Sequence, residues 1–126
     1  EVLQCLDILK SDAVEAKYLT GETDIEKASN FYASKGVKEI VLTHSNGVLI
    51  HADGENFHYD FHSKSMAGRS GRGDTCMGSY TAMRLTLPSC EAGKWAAAVT
   101  SMKVERLGVF NRPISDVEEF IAKYYA

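Results

Sequence analysis

The sequence lacks the features that mark several broad classes of protein. No apolar run approaches the ~20 residues of a membrane-spanning helix, and no charged start followed by an apolar stretch marks a secretory signal. No basic stripe stands out. The 14 Lys and Arg face 17 Asp and Glu, for a net charge of −3, which argues against a nucleic-acid partner. Cysteines are few: Cys5, Cys76 and Cys90 are odd in number, widely spaced and set among apolar residues. They exclude a disulfide framework and read as reduced, buried thiols of a cytoplasmic protein. Repeats, linkers and low-complexity tracts are also missing. What remains, 126 residues with 44% hydrophobic and 25% charged content, is one globular domain's worth of chain.

Hydrophobic patterning predicts alternating strands and helices. Val2 to Leu9 reads as a buried strand, and a helix from about Asp12 to Leu19 is stopped by Gly21. Thr23-Asp24-Ile25-Glu26 has the form of a capping box opening a second helix, with Ile25, Ala28 and Phe31 inward. Val37 to Thr43 reads as a second strand. Gly47 to Ala52 and Phe57 to His62 flank Asp53-Gly54, a strong hairpin turn signal. After Pro88, Ser89 is expected to cap a long helix to about Leu107, and Ser115-x-x-Glu118 to open the last one, with Val117, Phe120, Ile121 and Tyr124 on one stripe. The pattern predicts an α/β layered fold with a mostly parallel sheet and an added hairpin.

The stretch Gly68-Arg69-Ser70-Gly71-Arg72-Gly73-Asp74-Thr75-Cys76 carries the most chemistry. Three glycines within six residues run into a segment where Cys76, Tyr80, Met83 and Leu87 recur at helical spacing. A glycine loop feeding a helix N-terminus offers unpaired N–H groups at the positive end of a dipole, which binds anions, phosphate above all. The acid at the joint, Asp74, is either a helix cap or a base held where a phosphoryl group arrives. Arg72-Gly73-Asp74 also matches a cell-adhesion tripeptide, but three residues match by chance and nothing else points to secretion.

Gly71-Arg72-Gly73-Asp74-Thr75 resembles the Gly-Ala-Gly-Asp-Thr signature of the ribokinase-like (PfkB-type) carbohydrate kinases. Four further stretches match in the family's order. Leu9 to Ala16, with Leu19-Thr20-Gly21, resembles a strand end, the Asn-x-x-Glu motif and Leu-Thr-Gly. Glu39 to Thr43 with Gly47 is similar to the nucleotide-side strand and its Thr-x-Gly turn. Ala96-Ala97-Ala98-Val99, through Arg106 and Gly108, resembles the alanine-rich helix, and Pro113 to Phe120 the closing helix. All belong to the C-terminal part of those kinases, a ribokinase-like (Rossmann-like) sandwich. The N-terminal glycine-pair motif and lid strands are not among these 126 residues, so the chain is expected to be the nucleotide-binding half of a longer kinase.

The resemblance implies a transfer of the ATP γ-phosphoryl group to a hydroxyl of a sugar or related small alcohol, with Mg²⁺. It implies Asp74 as the base and the backbone N–H groups of Gly71, Arg72, Gly73 and Asp74 as the anion hole. Thr43, Ser45, Gly47 and Ala98 are the implied nucleotide contacts, while Arg69 and Arg72, which depart from the family pattern, are read as nucleotide contacts from the affinity of arginine for phosphate. Asp12 and Glu15, with Asp in place of Asn, are implied to hold Mg²⁺ through water, although Asp-x-x-Glu is equally a capping box. The turn after Thr43 is shorter than the family's, with Ser45 where glycine is expected. Many members carry an Asp six residues before the base that helps bind a monovalent cation. Here that position is Gly68, with Arg69 and Arg72 bringing positive charge instead, and the departure predicts a kinase that needs no K⁺. His58, Asp60 and His62 alternate and are read as an exposed polar face rather than a metal site. The lid often dimerises in the family, so the resemblance allows a homodimer of the parent, a state that these residues do not fix. The alternatives are a nucleotide-binding module without transfer activity and a pseudoenzyme. The 126 residues alone are expected to be inactive.

Overall fold

The computed structural model describes residues 1–126, which divide into two compact units, Glu1–His58 and Tyr59–Ala126. Four strands form one sheet in the order β1 (Ile8–Asp12), β2 (Glu39–His44), β3 (Gly47–Ala52), β4 (Glu55–Asp60). β1 and β2 are parallel, in a register that sets Asp12 beside Thr43. β2 and β3 are antiparallel. The mostly parallel sheet expected is thus, in this stretch of chain, one parallel pair extended by antiparallel pairing.

In the first unit the helices α1 (Ala13–Thr20) and α2 (Ile25–Ser34) connect β1 to β2. Gly21 ends α1 in the left-handed conformation, φ 77°, where a side chain would be strained. Ile40, Leu42 and Leu49 of the strands bury against Ala16, Ala28 and Tyr32 of the helices. Each of the three strand side chains contributes about 1.5–3 kcal/mol by leaving water. The Tyr32 hydroxyl, wholly buried, is satisfied by Ser11 Oγ at 3.1 Å. The β3–β4 turn has Asp53 at φ 52° and Gly54 at φ 78°, the paired positive angles that match strand twist.

Several boundaries differ from the sequence expectation. Val2–Cys5 is a 3₁₀ turn, not the start of a strand, and Cys5 is exposed while Cys90 is half-buried. Leu3 and Leu6, three apart, reach the first unit's core from that turn. A short apolar run does not by itself distinguish the two conformations. Asp24, not Thr23, caps α2 by accepting the Lys27 N–H at 2.9 Å.

In the second unit α3 (Arg72–Arg84), α4 (Ser89–Lys103) and α5 (Ile114–Tyr124) pack in sequence, with α4 in the middle. Ala92, Ala96, Ala97 and Ala98 are wholly buried on α4. Met102 and Ala98 meet Val117 of α5, with Trp95, Val99, Phe120 and Ile121 around them. The caps expected from Ser89 and Ser115 do not form. Pro88 and Pro113 hold those N-cap positions, without a side-chain hydrogen bond. α4 also ends at Lys103, four residues before Leu107.

Candidate phosphate-binding site

The glycine loop does run into a helix start. Gly71, at φ 78°, is the N-cap residue of α3, and no side chain caps the helix. The Arg72 N–H turns back to the Arg69 carbonyl at 3.3 Å, leaving the first-turn N–H groups of Gly73 and Asp74 without a side-chain cap. Asp74 is therefore not the N-cap residue. It sits in the first turn, three residues in, with its carboxylate exposed. The helix beneath is anchored by Cys76 and Tyr80, both wholly buried.

This helix start opens onto a cavity of about 420 Å³ lined by Gly68, Ser70, Gly71, Asp74 and Thr75 on one side and Lys103 and Leu107 to Phe110 on the other. Leu107 and Val109 are strongly exposed and form an apolar rim. Arg69 is exposed, while the Arg72 guanidinium lies over the Phe61 ring, 5.7 Å from its centroid. Ala98 is wholly buried with Met102 and Val117 and does not line this cavity, so its smallness serves the packing of α4.

The sequence reading passes over Lys103. This lysine is only 7% exposed, and its ammonium donates to the carbonyls of Gly68 at 2.7 Å and Ser70 at 2.6 Å. Ala92, Ala96, Val99 and Lys103 recur at four-three-four spacing, which puts a charge on the inward stripe of α4. A lysine on such a stripe is almost never fully buried without a partner.

The expected metal-binding residues and Thr43, Ser45 and Gly47 lie in the first unit. Asp12 and Glu15 form a complete capping box. The Glu15 N–H donates to Asp12 Oδ1 at 2.8 Å, and the Asp12 N–H donates to Glu15 Oε2 at 2.9 Å. Each carboxylate keeps one oxygen outside the box, and Glu15 is exposed. Two hard oxygen donors at one edge suit Mg²⁺, which retains most of its waters. Thr43 is buried beside Asp12 at the carboxyl ends of the parallel strands, where α/β sheets take ligands. Ser45 is exposed at a two-residue hairpin turn closed by the His44–Gly47 pair. The Asn46 N–H donates to His44 Nδ1 at 3.3 Å. His58 is bound to Glu26 at 2.8 Å, and His62 stacks on Tyr124 at 4.4 Å between centroids.

No family model and no curated protein matches the chain. Solved structures do. A pyrophosphate-dependent myo-inositol-1 kinase, converted into a myo-inositol-3 kinase by mutation, is 36% identical with a TM-score of 0.84, over 98% of this chain and 44% of that one. A pyrophosphate-dependent kinase of the ribokinase family, bound to a pyrophosphate analogue and myo-inositol, is 38% identical with a TM-score of 0.83, over 93% of this chain and 42% of that one. An E. coli protein assigned as ribokinase II, in complex with ATP and Mg²⁺, is 26% identical with a TM-score of 0.84, over 98% of this chain and 41% of that one. The chain spans less than half the length of each of these structures.

Proposed function

The chain is a segment of the ribokinase-like kinase family, and on that premise we propose that it carries the phosphoryl-donor side of a kinase acting on a hydroxyl of a sugar or related small alcohol. One observation supports this above the others: a glycine loop opens α3 without a side-chain cap, and an exposed carboxylate, Asp74, stands in that first turn at a cavity. Unpaired N–H groups at a helix start accept the charge that develops on a moving phosphoryl group. Asp74 takes the proton of the acceptor hydroxyl as that oxygen attacks phosphorus and the bond from phosphorus to the donor's bridging oxygen breaks, releasing ADP from ATP or orthophosphate from pyrophosphate. Gly71, Gly73 and Asp74 supply N–H groups of the anion hole. Asp12 and Glu15 would hold Mg²⁺ through its water shell.

For the donor there are two readings. ATP is the donor implied by the family motifs, and ATP with Mg²⁺ is bound in the E. coli neighbour. Inorganic pyrophosphate is favoured by the identities: the pyrophosphate-dependent neighbours share 36% and 38% with this chain, against 26% for the ATP-bound one. The cavity's own chemistry suits either, because a loop of N–H groups recognises phosphate and not base. The test is a transfer assay on the full-length protein, with ATP or pyrophosphate as donor and ribose or myo-inositol among the acceptors. Turnover with one donor selects the reading. Donor binding without turnover on a wide panel of alcohols would reduce the protein to a binding module.

A further inference from the structure

We propose that the Lys103 ammonium is a built-in monovalent cation of the glycine loop, holding it in its anion-accepting shape and supplying the positive charge an alkali ion would otherwise bring. Two carbonyls from non-adjacent loop residues, Gly68 and Ser70, turn onto one point, and Lys103 Nζ occupies it at 2.7 and 2.6 Å. Converging backbone carbonyls are the ligands that replace the hydration shell of a K⁺ ion. Lysine's ammonium is a compact point charge with several donors, so it fits the same cradle. The loop is also fastened to the end of α4, since the Gly68 N–H donates to the Val104 carbonyl at 2.7 Å. That end is the negative pole of the helix, which favours a cation there.

The charge balance points to the same role. No carboxylate stands within ion-pair distance of Lys103, and carbonyl dipoles are its only protein partners. A buried charge left without a counter-ion is costly. A phosphate at the start of α3 brings the missing negative charge into the cavity that Lys103 helps to line. The arginines on this loop do not do this: Arg69 is exposed and Arg72 lies on Phe61. Lys103 is thus a positioning residue for the anion hole.

The turnover arm of the test rests on the kinase reading, and the binding arm does not. Both use the full-length protein, wild type and with Lys103→Ala or Lys103→Met, the latter keeping the apolar stem. Thermal unfolding is followed in KCl and in tetramethylammonium chloride at matched ionic strength, with and without pyrophosphate. The wild type should melt identically in both salts and be stabilised by pyrophosphate in both. Lys103→Ala should be stabilised by K⁺ specifically and regain its pyrophosphate response only there, whereas Lys103→Met, with the cradle filled by a methyl group, should not. Turnover of either variant should fall on the order of 10–100-fold in tetramethylammonium, the loss of a charged hydrogen-bonding group, with recovery in K⁺ for Lys103→Ala alone. A wild type that needs K⁺ overturns the proposal, as does a Lys103→Ala protein with an undiminished pyrophosphate response and no K⁺-specific shift. A wild type without turnover on any donor overturns the kinase reading instead, and the melting experiment still decides the role of Lys103.

Discussion

Gly68 and Arg106 are pressed together backbone to backbone: a Cβ added at Gly68 would lie 1.6 Å from the Arg106 carbonyl oxygen and 2.9 Å from that of Lys103. A side chain cannot enter that space without moving the loop or the end of α4. The absence of an acid at this position is therefore part of the local fold as well as a change of charge. Gly68→Ala is expected to destabilise the second unit by about 1–3 kcal/mol or more, the usual cost of forcing atoms into a packed interior. Urea denaturation measures it. A midpoint unchanged by the substitution would mean that the loop relaxes freely.

Asp74→Asn keeps the shape of the helix start and removes the base. Turnover of the full-length protein should fall by ~10²–10⁴-fold, the usual contribution of a positioned base. Donor binding, measured by calorimetry, should stay within a few-fold, because the N–H groups of the first turn are untouched. A mutant that retains most of its turnover would leave Asp74 with only a favourable interaction with the helix dipole.

Alkaline stability should be governed by two tyrosines. Burial chiefly raises Tyr59 and Tyr125 from the usual value of 10.0 to about 12. The Tyr59 hydroxyl donates to the Cys90 carbonyl and that of Tyr125 to the Asp60 carbonyl. Because folding favours the protonated form, their contribution is complete below pH 10 and is lost as pH climbs toward about 12. Melting temperature should be level on the acid side of this window and drop across it. Tyr59→Phe should make the drop shallower, and an unaltered slope would assign the loss to other groups.

The 126 residues produced alone should self-associate. Val14 and Tyr18 are 79% and 89% exposed, four apart on one stripe of α1, and one edge of β1 carries no strand in this chain. Sedimentation should show concentration-dependent oligomers that Val14→Lys and Tyr18→Glu together reduce. A monodisperse monomer unfolding cooperatively would show a self-sufficient domain.

The elements most legible in the sequence were those with a local chemical cause. Asp53-Gly54 dictates a hairpin through its backbone angles, Gly21 stops a helix, and Asp12-x-x-Glu15 closes a capping box, all as expected. Less legible were features decided by competition. Thr23 and Asp24 both offer a capping oxygen, and only the geometry of the approaching chain selects Asp24. Ser89 and Ser115 look like caps, yet Pro88 and Pro113 take the N-cap positions in extended conformation, so Ser89 is the first and Ser115 the second residue of its helix. In the candidate site, the glycine loop and Asp74 were visible because their chemistry is local. Lys103 was not, because its partners are 33 and 35 residues away and only the folded loop brings those carbonyls to it.

The reciprocal cap between Asp12 and Glu15 makes the onset of α1 a reporter. The first turn is fastened by the same carboxylates that we propose hold a divalent ion, so a ligand that draws Glu15 away leaves the Asp12 N–H without its acceptor. Opening of that turn would then be written into the exchange rates of individual backbone amides. The amides of Asp12 and Glu15 would thus register ion occupancy in a sample where no phosphate moves at all.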